Sequence, residues 1–189
     1  SGGNEFRADS PYYQDRLYQN DGSGNFSQMA TMLPNLNAPG GCVTAQDFDR
    51  DGDLDLFVGG RNRPQQFPLP GRSYLLENRE GTFVDITDQK APDLSGLGMV
   101  TAALWTDIDN DNWIDLMVVG EWMEPTIFQN NQGQLRRVKA DFYQSDTIVS
   151  AHGWWNSLQG GDFDQDGDMD YVAGNLGRNT PFTANEESP

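Results

Sequence analysis

The chain has 189 residues, 29 acidic side chains against 12 basic ones, and a formal charge of −17. A chain this acidic is repelled by phosphates, which excludes nucleic acid as a partner, and no apolar run approaches the roughly 20 residues that span a bilayer. Hydrophobic residues make up 36% of the chain, so a core exists but is modest for this charge; 5 Trp and 6 Tyr enlarge it, and further support is expected.

In chain order, residues 1–11 read as a tail or linker opening on Ser1-Gly2-Gly3. Residues 12–40 carry Leu17-Tyr18-Gln19-Asn20-Asp21-Gly22-Ser23-Gly24-Asn25-Phe26, the pattern of strand, tight turn and strand, with Asn and Gly supplying the positive-φ positions a hairpin needs. Residues 41–96 begin with the small residues Val43-Thr44-Ala45 and run through the acidic segment Asp47 to Asp55. The apolar strand Leu56-Phe57-Val58-Gly59-Gly60 follows, then a second hairpin, Leu75-Leu76-Glu77-Asn78-Arg79-Glu80-Gly81-Thr82-Phe83. Residues 97–150 repeat this order: Thr101-Ala102-Ala103-Leu104, Asp107 to Asp115, Leu116-Met117-Val118-Val119-Gly120, then Ile127-Phe128-Gln129-Asn130-Asn131-Gln132-Gly133. Residues 151–182 supply only the first half, with Asp162 to Asp170 before Tyr171-Val172-Ala173-Gly174, and residues 183–189 read as a tail.

Each complete repeat is thus four strands, and the acidic segments start 60 and 55 residues apart. Periods of this length predict an all-β fold of β-propeller blades, each a four-stranded antiparallel sheet. Residues 12–40 form a half blade of outer strands, 41–96 and 97–150 whole blades, and 151–182 a half blade of inner strands. Three blades fall short of the 4–8 that close a propeller, so the expectation is a partial ring or a fragment of a larger propeller. The two halves are complementary in kind, and two chains meeting head to tail would make a homodimer that completes a ring.

The three acidic segments share the pattern D-x-D-x-D-[GN]-x-x-D. Ca²⁺ takes 6–8 oxygen ligands, and a short loop supplies them by curling around the ion with alternate side chains inward. The expected ligands are Asp47, Asp49, Asp51 and Asp55 with the carbonyl of Asp53; Asp107, Asp109, Asp111 and Asp115 with the carbonyl of Trp113; and Asp162, Asp164, Asp166 and Asp170 with the carbonyl of Asp168. Gly52, Asn112 and Gly167 stand where the chain turns sharply, while Arg50 points outward. Fourteen of the 29 acidic residues fall in these segments, a repulsion that a cation relieves, so up to three calcium ions are expected. An EF-hand is excluded, because its position-twelve glutamate is replaced by Val58, Val118 and Ala173 and the flanks are strands.

The alternation of D-x-D-x-D-G-x-x-D with L-Y-x-N-x-G-x-G-x-F resembles the FG-GAP/VCBS repeat family of integrin-α-like propellers. The run Trp154-Trp155-Asn156 through Gly174-Asn175-Leu176-Gly177 resembles exported bacterial proteins that join such repeats to an ASPIC/UnbV-type module. The resemblance implies a calcium-binding propeller in an extracytoplasmic setting, secreted, periplasmic or on the cell surface. It implies a binding or scaffold role toward another protein or a glycan. Asn112 in place of Gly is the one departure within the loops, and no ASPIC-type segment is seen.

Catalytic candidates are few. His152 is the single histidine and reads as a structural hydrogen-bonding residue, Cys42 as a small buried apolar one, and no nucleophile elbow, phosphate loop or zinc signature occurs. An enzyme is not expected. Trp105, Trp113, Trp122, Trp154 and Trp155 read as packing between blades. The rival readings are a carbohydrate-binding or carbohydrate-processing accessory surface built on these tryptophans, and an acidic scaffold whose loops hold no metal.

Overall fold

The structure, a computed structural model, describes residues 5–7, 10–36 and 39–176. The closing part of the last half blade and the C-terminal tail lie outside the described residues, as do parts of the N-terminal tail. Strands β1 (Tyr18–Asn20) and β2 (Phe26–Gln28) form a hairpin. β3 (Gly40–Gln46), β4 (Asp55–Gly60), β5 (Tyr74–Arg79) and β6 (Thr82–Asp85) form an antiparallel sheet in chain order. β7 (Met99–Thr106), β8 (Asp115–Met123), β9 (Thr126–Asn130) and β10 (Leu135–Val138) repeat that arrangement. A small hairpin, β11 (Phe142–Gln144) and β12 (Thr147–Val149), precedes the antiparallel pair β13 (Gly153–Gly161) and β14 (Asp170–Asn175). The start of β13 also pairs with the end of β8 through Gly153↔Met123 and Trp154↔Glu121, which fastens this pair to the preceding sheet.

The fold is all-β, built of antiparallel propeller-like blades, with helical structure among the described residues confined to α1 (Thr87–Lys90) and two 3₁₀ turns. The hairpin β11–β12 carries no turn signal in the sequence. Its turn is Ser145-Asp146, both at positive φ (49° and 63°), the primed-turn geometry that normally advertises itself with Asn-Gly or Gly-Gly.

Alternation along β4 and β8 sends successive residues to opposite faces, and both faces are covered. Phe57 and Leu75 of the first four-stranded sheet, with Phe48 from the loop after β3 and Ile86 just past β6, pack against Val100, Leu116, Val118, Phe128 and Leu135 of the second sheet. Ala91, Leu94 and Leu97, from the α1 segment and the 3₁₀ turn after it, close that layer from the side. On the other face of the first sheet, Val58 and Leu76 are covered by Leu33 and Leu36, which follow the β1–β2 hairpin.

The innermost strands come close enough that small residues are required there. A Cβ on Gly41 would lie 1.9 Å from the carbonyl oxygen of Val100, and one on Gly120 would lie 2.1 Å from that of Met99. Gly120→Ala is therefore expected to destabilise the fold by about 2–3 kcal/mol in urea unfolding, because backbone rather than a flexible side chain must move. Gly96→Ala, which faces open space, should change stability by no more than about 0.5 kcal/mol.

Candidate metal centres

Each acidic segment connects an inner strand to the next: β3 to β4, β7 to β8, and β13 to β14. The same short-range hydrogen bonds curl all three. The first aspartate accepts from the sixth residue's N–H: Gly52 to Asp47 at 3.2 Å, Asn112 to Asp107 at 2.9 Å, Gly167 to Asp162 at 3.2 Å. The fifth accepts from the seventh: Asp53 to Asp51 at 2.9 Å, Trp113 to Asp111 at 2.7 Å, Asp168 to Asp166 at 3.0 Å. Gly52, Asn112 and Gly167 have positive φ (97°, 71° and 100°). So do Arg50, Asn110 and Gln165 at the fourth position (64°, 59° and 64°), a left-handed turn that the sequence does not announce because two of the three are ordinary side chains.

The ninth aspartate does something different. Asp55 is fully buried and accepts two backbone N–H groups, from Phe48 at 3.4 Å and from Asn78 at 2.8 Å. Asp115 repeats this with Ile108 at 3.0 Å and Asn130 at 2.7 Å, and Asp170 accepts from Phe163 at 3.0 Å. The carboxylate thus ties the start of its own loop to the hairpin between the outer strands.

The result is a convergence of oxygens. In each loop one carboxylate oxygen from the first, third and ninth positions lies within 4.8 Å of the others: Asp47, Asp49 and Asp55; Asp107, Asp109 and Asp115; Asp162, Asp164 and Asp170. Asp51, Asp111 and Asp166 stand outside these sets of three and face the N–H groups of Asp53, Trp113 and Asp168. In the first two loops Asp47 Oδ1, Asp49 Oδ1 and Asp107 Oδ1 are buried with no hydrogen-bond partner. A buried, unpaired carboxylate oxygen is costly unless a cation meets it, so the donor set fits a hard divalent ion. In the third loop Asp162 and Asp164 are exposed.

Burial pushes the Asp55 carboxyl up to about 6, with the Asp49 and Asp51 charges adding to the rise and the bonds from Asn78 and Phe48 opposing it. Burial likewise raises Asp115 and Asp49, and neighbouring aspartates push in the same direction.

Contacts between neighbouring loops stitch them into one face. The Arg50 guanidinium lies 4.1 Å from the centre of the Trp113 ring, and its Nη2 donates to the carbonyl of Asn112. Asn110 Nδ2 reaches Asp168 Oδ1 at 3.3 Å. Asn130, fully buried, donates through Nδ2 to the carbonyls of Phe48 at 2.7 Å and Ile114 at 2.9 Å, while its Oδ1 accepts from Gly133 at 2.8 Å. Asn78 Oδ1 accepts from Gly81 in the same way. The local pattern places these asparagines in turns alone; the recurrence of Asn two residues after an apolar strand residue and three before Gly is the signal of the further role.

The tryptophans divide between two ends. Trp105 stacks on Phe48 with centroids 6.3 Å apart, and Trp113 sits under Arg50. Away from the acidic loops, Trp122 meets Trp154 at 5.0 Å and Phe67 at 5.6 Å, and Trp155 Nε1 donates to the carbonyls of Met123 and Ala151. His152 Nδ1 is engaged by Ser150 Oγ at 3.0 Å and Glu124 Oε1 at 3.1 Å. Cys42 is half-buried against the core, and burial pushes its thiol up to about 11.

The family model of the FG-GAP-like repeat matches residues 6–58 and 107–173. Cartilage acidic protein 1 of Xenopus tropicalis is 35% identical over 104 residues, which cover 53% of this chain and 15% of that protein. The chain therefore spans a small part of the relative it matches.

A carboxyl whose folded value lies above its unfolded value favours the native state while protonated. In metal-free protein the Asp55 contribution is thus complete below pH 3.8 and lost as pH rises through about 6. Asp55→Asn should cost about 2 kcal/mol, since one amide N–H must now face the N–H of Phe48 or Asn78. It should also flatten the pH dependence across that window, as read by urea unfolding in chelator on either side of it.

Proposed function

The chain belongs to the FG-GAP-like repeat family, and on that premise we propose that it is a calcium-binding β-propeller module acting as a non-catalytic binding or scaffold segment of an exported or cell-surface protein. The observation that carries the metal assignment is the threefold convergence of carboxylate oxygens, with partnerless buried oxygens in two of the loops. Asp47, Asp49 and Asp55 would hold one ion, Asp107, Asp109 and Asp115 a second, and Asp162, Asp164 and Asp170 a third. Asp51, Asp111, Asp166 and the carbonyls of Asp53, Trp113 and Asp168 remain the expected sources of further ligands. Calcium suits such a flexible all-oxygen set better than Mg²⁺, which demands octahedral geometry and keeps its waters.

A non-catalytic role is supported by the state of the two reactive side chains: His152 is held by Ser150 and Glu124, and the Cys42 thiol stays protonated. An extracytoplasmic setting, in a protein of the kind that carries an ASPIC/UnbV-type module, supplies calcium at the concentrations such loops need. The name of the frog relative, an acidic cartilage protein, agrees with a chain of net charge −17. One observation favours a glycan as the bound partner: Phe67, half exposed, leads into the Trp122–Trp154 pair and forms an aromatic strip on which pyranose faces can pack. Screening the calcium-loaded protein on a glycan array, with Phe67→Ala as the control, tests that reading.

Calcium is expected to raise the melting temperature and chelator to lower it, since each site held at 100 times its dissociation constant adds about 2.7 kcal/mol. Calorimetric titration should give up to three ions per chain, with the exposed third loop the weakest. Asp49→Ala should remove one ion from the stoichiometry, whereas Arg50→Ala should remove none while loosening the stack on Trp113. A melting temperature indifferent to chelator would overturn the assignment.

A further inference from the structure

The two complete blades set their outer hairpins against their acidic loops in the same way. Leu76 and Phe128 pair with Leu56 and Leu116, and two residues later Asn78 and Asn130 give their N–H groups to Asp55 and Asp115. The residue between, Glu77 in the first blade and Gln129 in the second, therefore stands at the same place beside its loop. The acidic segments themselves are matched in charge: Asp47 to Asp55 holds five aspartates and Arg50, Asp107 to Asp115 holds four aspartates, and each has a formal charge of −4. The outer strand is where the two sites part.

The second blade shows how far that side chain reaches. Gln129 Nε2 donates to Asp109 Oδ2, on the third-position carboxylate of the convergent set. A neutral amide thereby satisfies one carboxylate oxygen and brings no charge. In the first blade the same place holds a carboxylate. Burial raises the Asp49 carboxyl most, the Asp51 charge adds to it, and the Glu77 charge pushes in the same direction from the outer strand. The Glu77 side chain is only 16% exposed, and Arg79, 57% exposed, grips its Oε2 through Nε. A carboxylate largely shielded from water and set beside an already crowded group of aspartates is unfavourable for the metal-free chain.

We propose that the outer-strand residue ahead of the turn asparagine grades the calcium loops, Glu77 making the first the tighter site and Gln129 the second the weaker. The inference rests on the calcium reading above and adds to it a determinant that lies outside the acidic segments. A cation among Asp47, Asp49 and Asp55 is attracted by Glu77 as well, and it relieves the crowding of Glu77 on Asp49. A cation among Asp107, Asp109 and Asp115 gains no such charge, and Gln129 holds one oxygen of Asp109. Affinity in all-oxygen loops follows the charge count around the ion, so exchanging Glu for Gln at this one place moves a site. Arg79 offsets little of the effect, because its guanidinium stands mostly in water, where solvent and salt screen it.

The test is a site-resolved calcium titration of the full chain by nuclear magnetic resonance in calcium buffers. Each loop is followed through the backbone amide that donates to its first aspartate, Gly52 for the first and Asn112 for the second. The Gly52 signal is expected to reach its calcium-loaded position at lower free calcium than the Asn112 signal. Glu77→Gln should weaken the first loop by roughly three- to tenfold, and Gln129→Glu should tighten the second by a similar factor. Each substitution should leave the other loop within about twofold. Glu80→Gln removes an exposed charge from the same hairpin and should move neither loop by more than about twofold, which separates a local effect from a change in overall charge. Far-ultraviolet circular dichroism verifies that every variant is folded. Amides that stay unmoved in millimolar calcium overturn the calcium reading and this inference together. Loops that fill, yet fill at the same free calcium or ignore the exchange of Glu77 and Gln129, overturn this inference alone.

Discussion

A buried carboxylate shared between two stretches of backbone holds each blade in shape. Asp55 and Asp115 each accept one N–H from their own loop and one from the hairpin beyond the next strand. Only a short, doubly accepting side chain can serve both: Asn would set a donor against a donor, and Glu would overreach. Because the two bonds share one carboxyl, the curl of the loop, the register of the inner and outer strands, and the position of one gathered oxygen are set together. The third loop shows the dependence. Asp170 receives its N–H from Phe163 alone among the described residues, and the loop around it is the most exposed of the three.

Holding a negative charge in that place is unfavourable for the metal-free chain, which is why burial raises the Asp55 carboxyl rather than lowering it despite two donated bonds. The geometry that fixes the blade is therefore also the geometry that gathers the carboxylate oxygens, and its electrostatic cost falls on the metal-free chain. Left-handed backbone at Arg50 and Gln165 adds strain of the kind that persists only where surrounding bonds over-determine it. Here the short hydrogen bonds within each loop, and for Arg50 the stack on Trp113, provide that constraint.

Strand alternation, the acidic pattern and the places of the hairpin turns are legible in the sequence because each rests on a local rule with period two or a fixed short spacing; the residues at positive φ beside Gly81 and Gly133 are nevertheless Glu80 and Gln132, and not the asparagines the turn pattern points to. The smallness of the innermost residues is legible too, though not which of them have backbone pressed against the place of a Cβ. What could not be read depended on partners far along the chain. The bond from Asn130 to the carbonyl of Phe48 joins residues of different repeats, and the side chain that makes it is typical of any turn. The fourth loop position was hidden because Arg and Gln do not signal a left-handed conformation. The Ser145-Asp146 hairpin was hidden for the same reason. The acidic pattern alone makes the ninth aspartate one expected ligand among several. In the structure it is first a structural acceptor.

The bonds of Arg50 to Asn112 and of Asn110 to Asp168 bring all three acidic loops to one end of the blades. The molecule is consequently lopsided in charge: nearly half its carboxylates crowd one face, while the aromatic strip of Phe67, Trp122 and Trp154 lies away from it. Such a body has a large electric moment along the blade direction when its loops are empty. It would meet a positively charged surface loops first, with the aromatic strip turned outward, and dissolved salt would weaken that preference over a distance of about 8–10 Å at ordinary ionic strength. Divalent ions held in the loops as proposed would shrink that moment without moving a strand, so the ion content of the medium would then set which way the module faces.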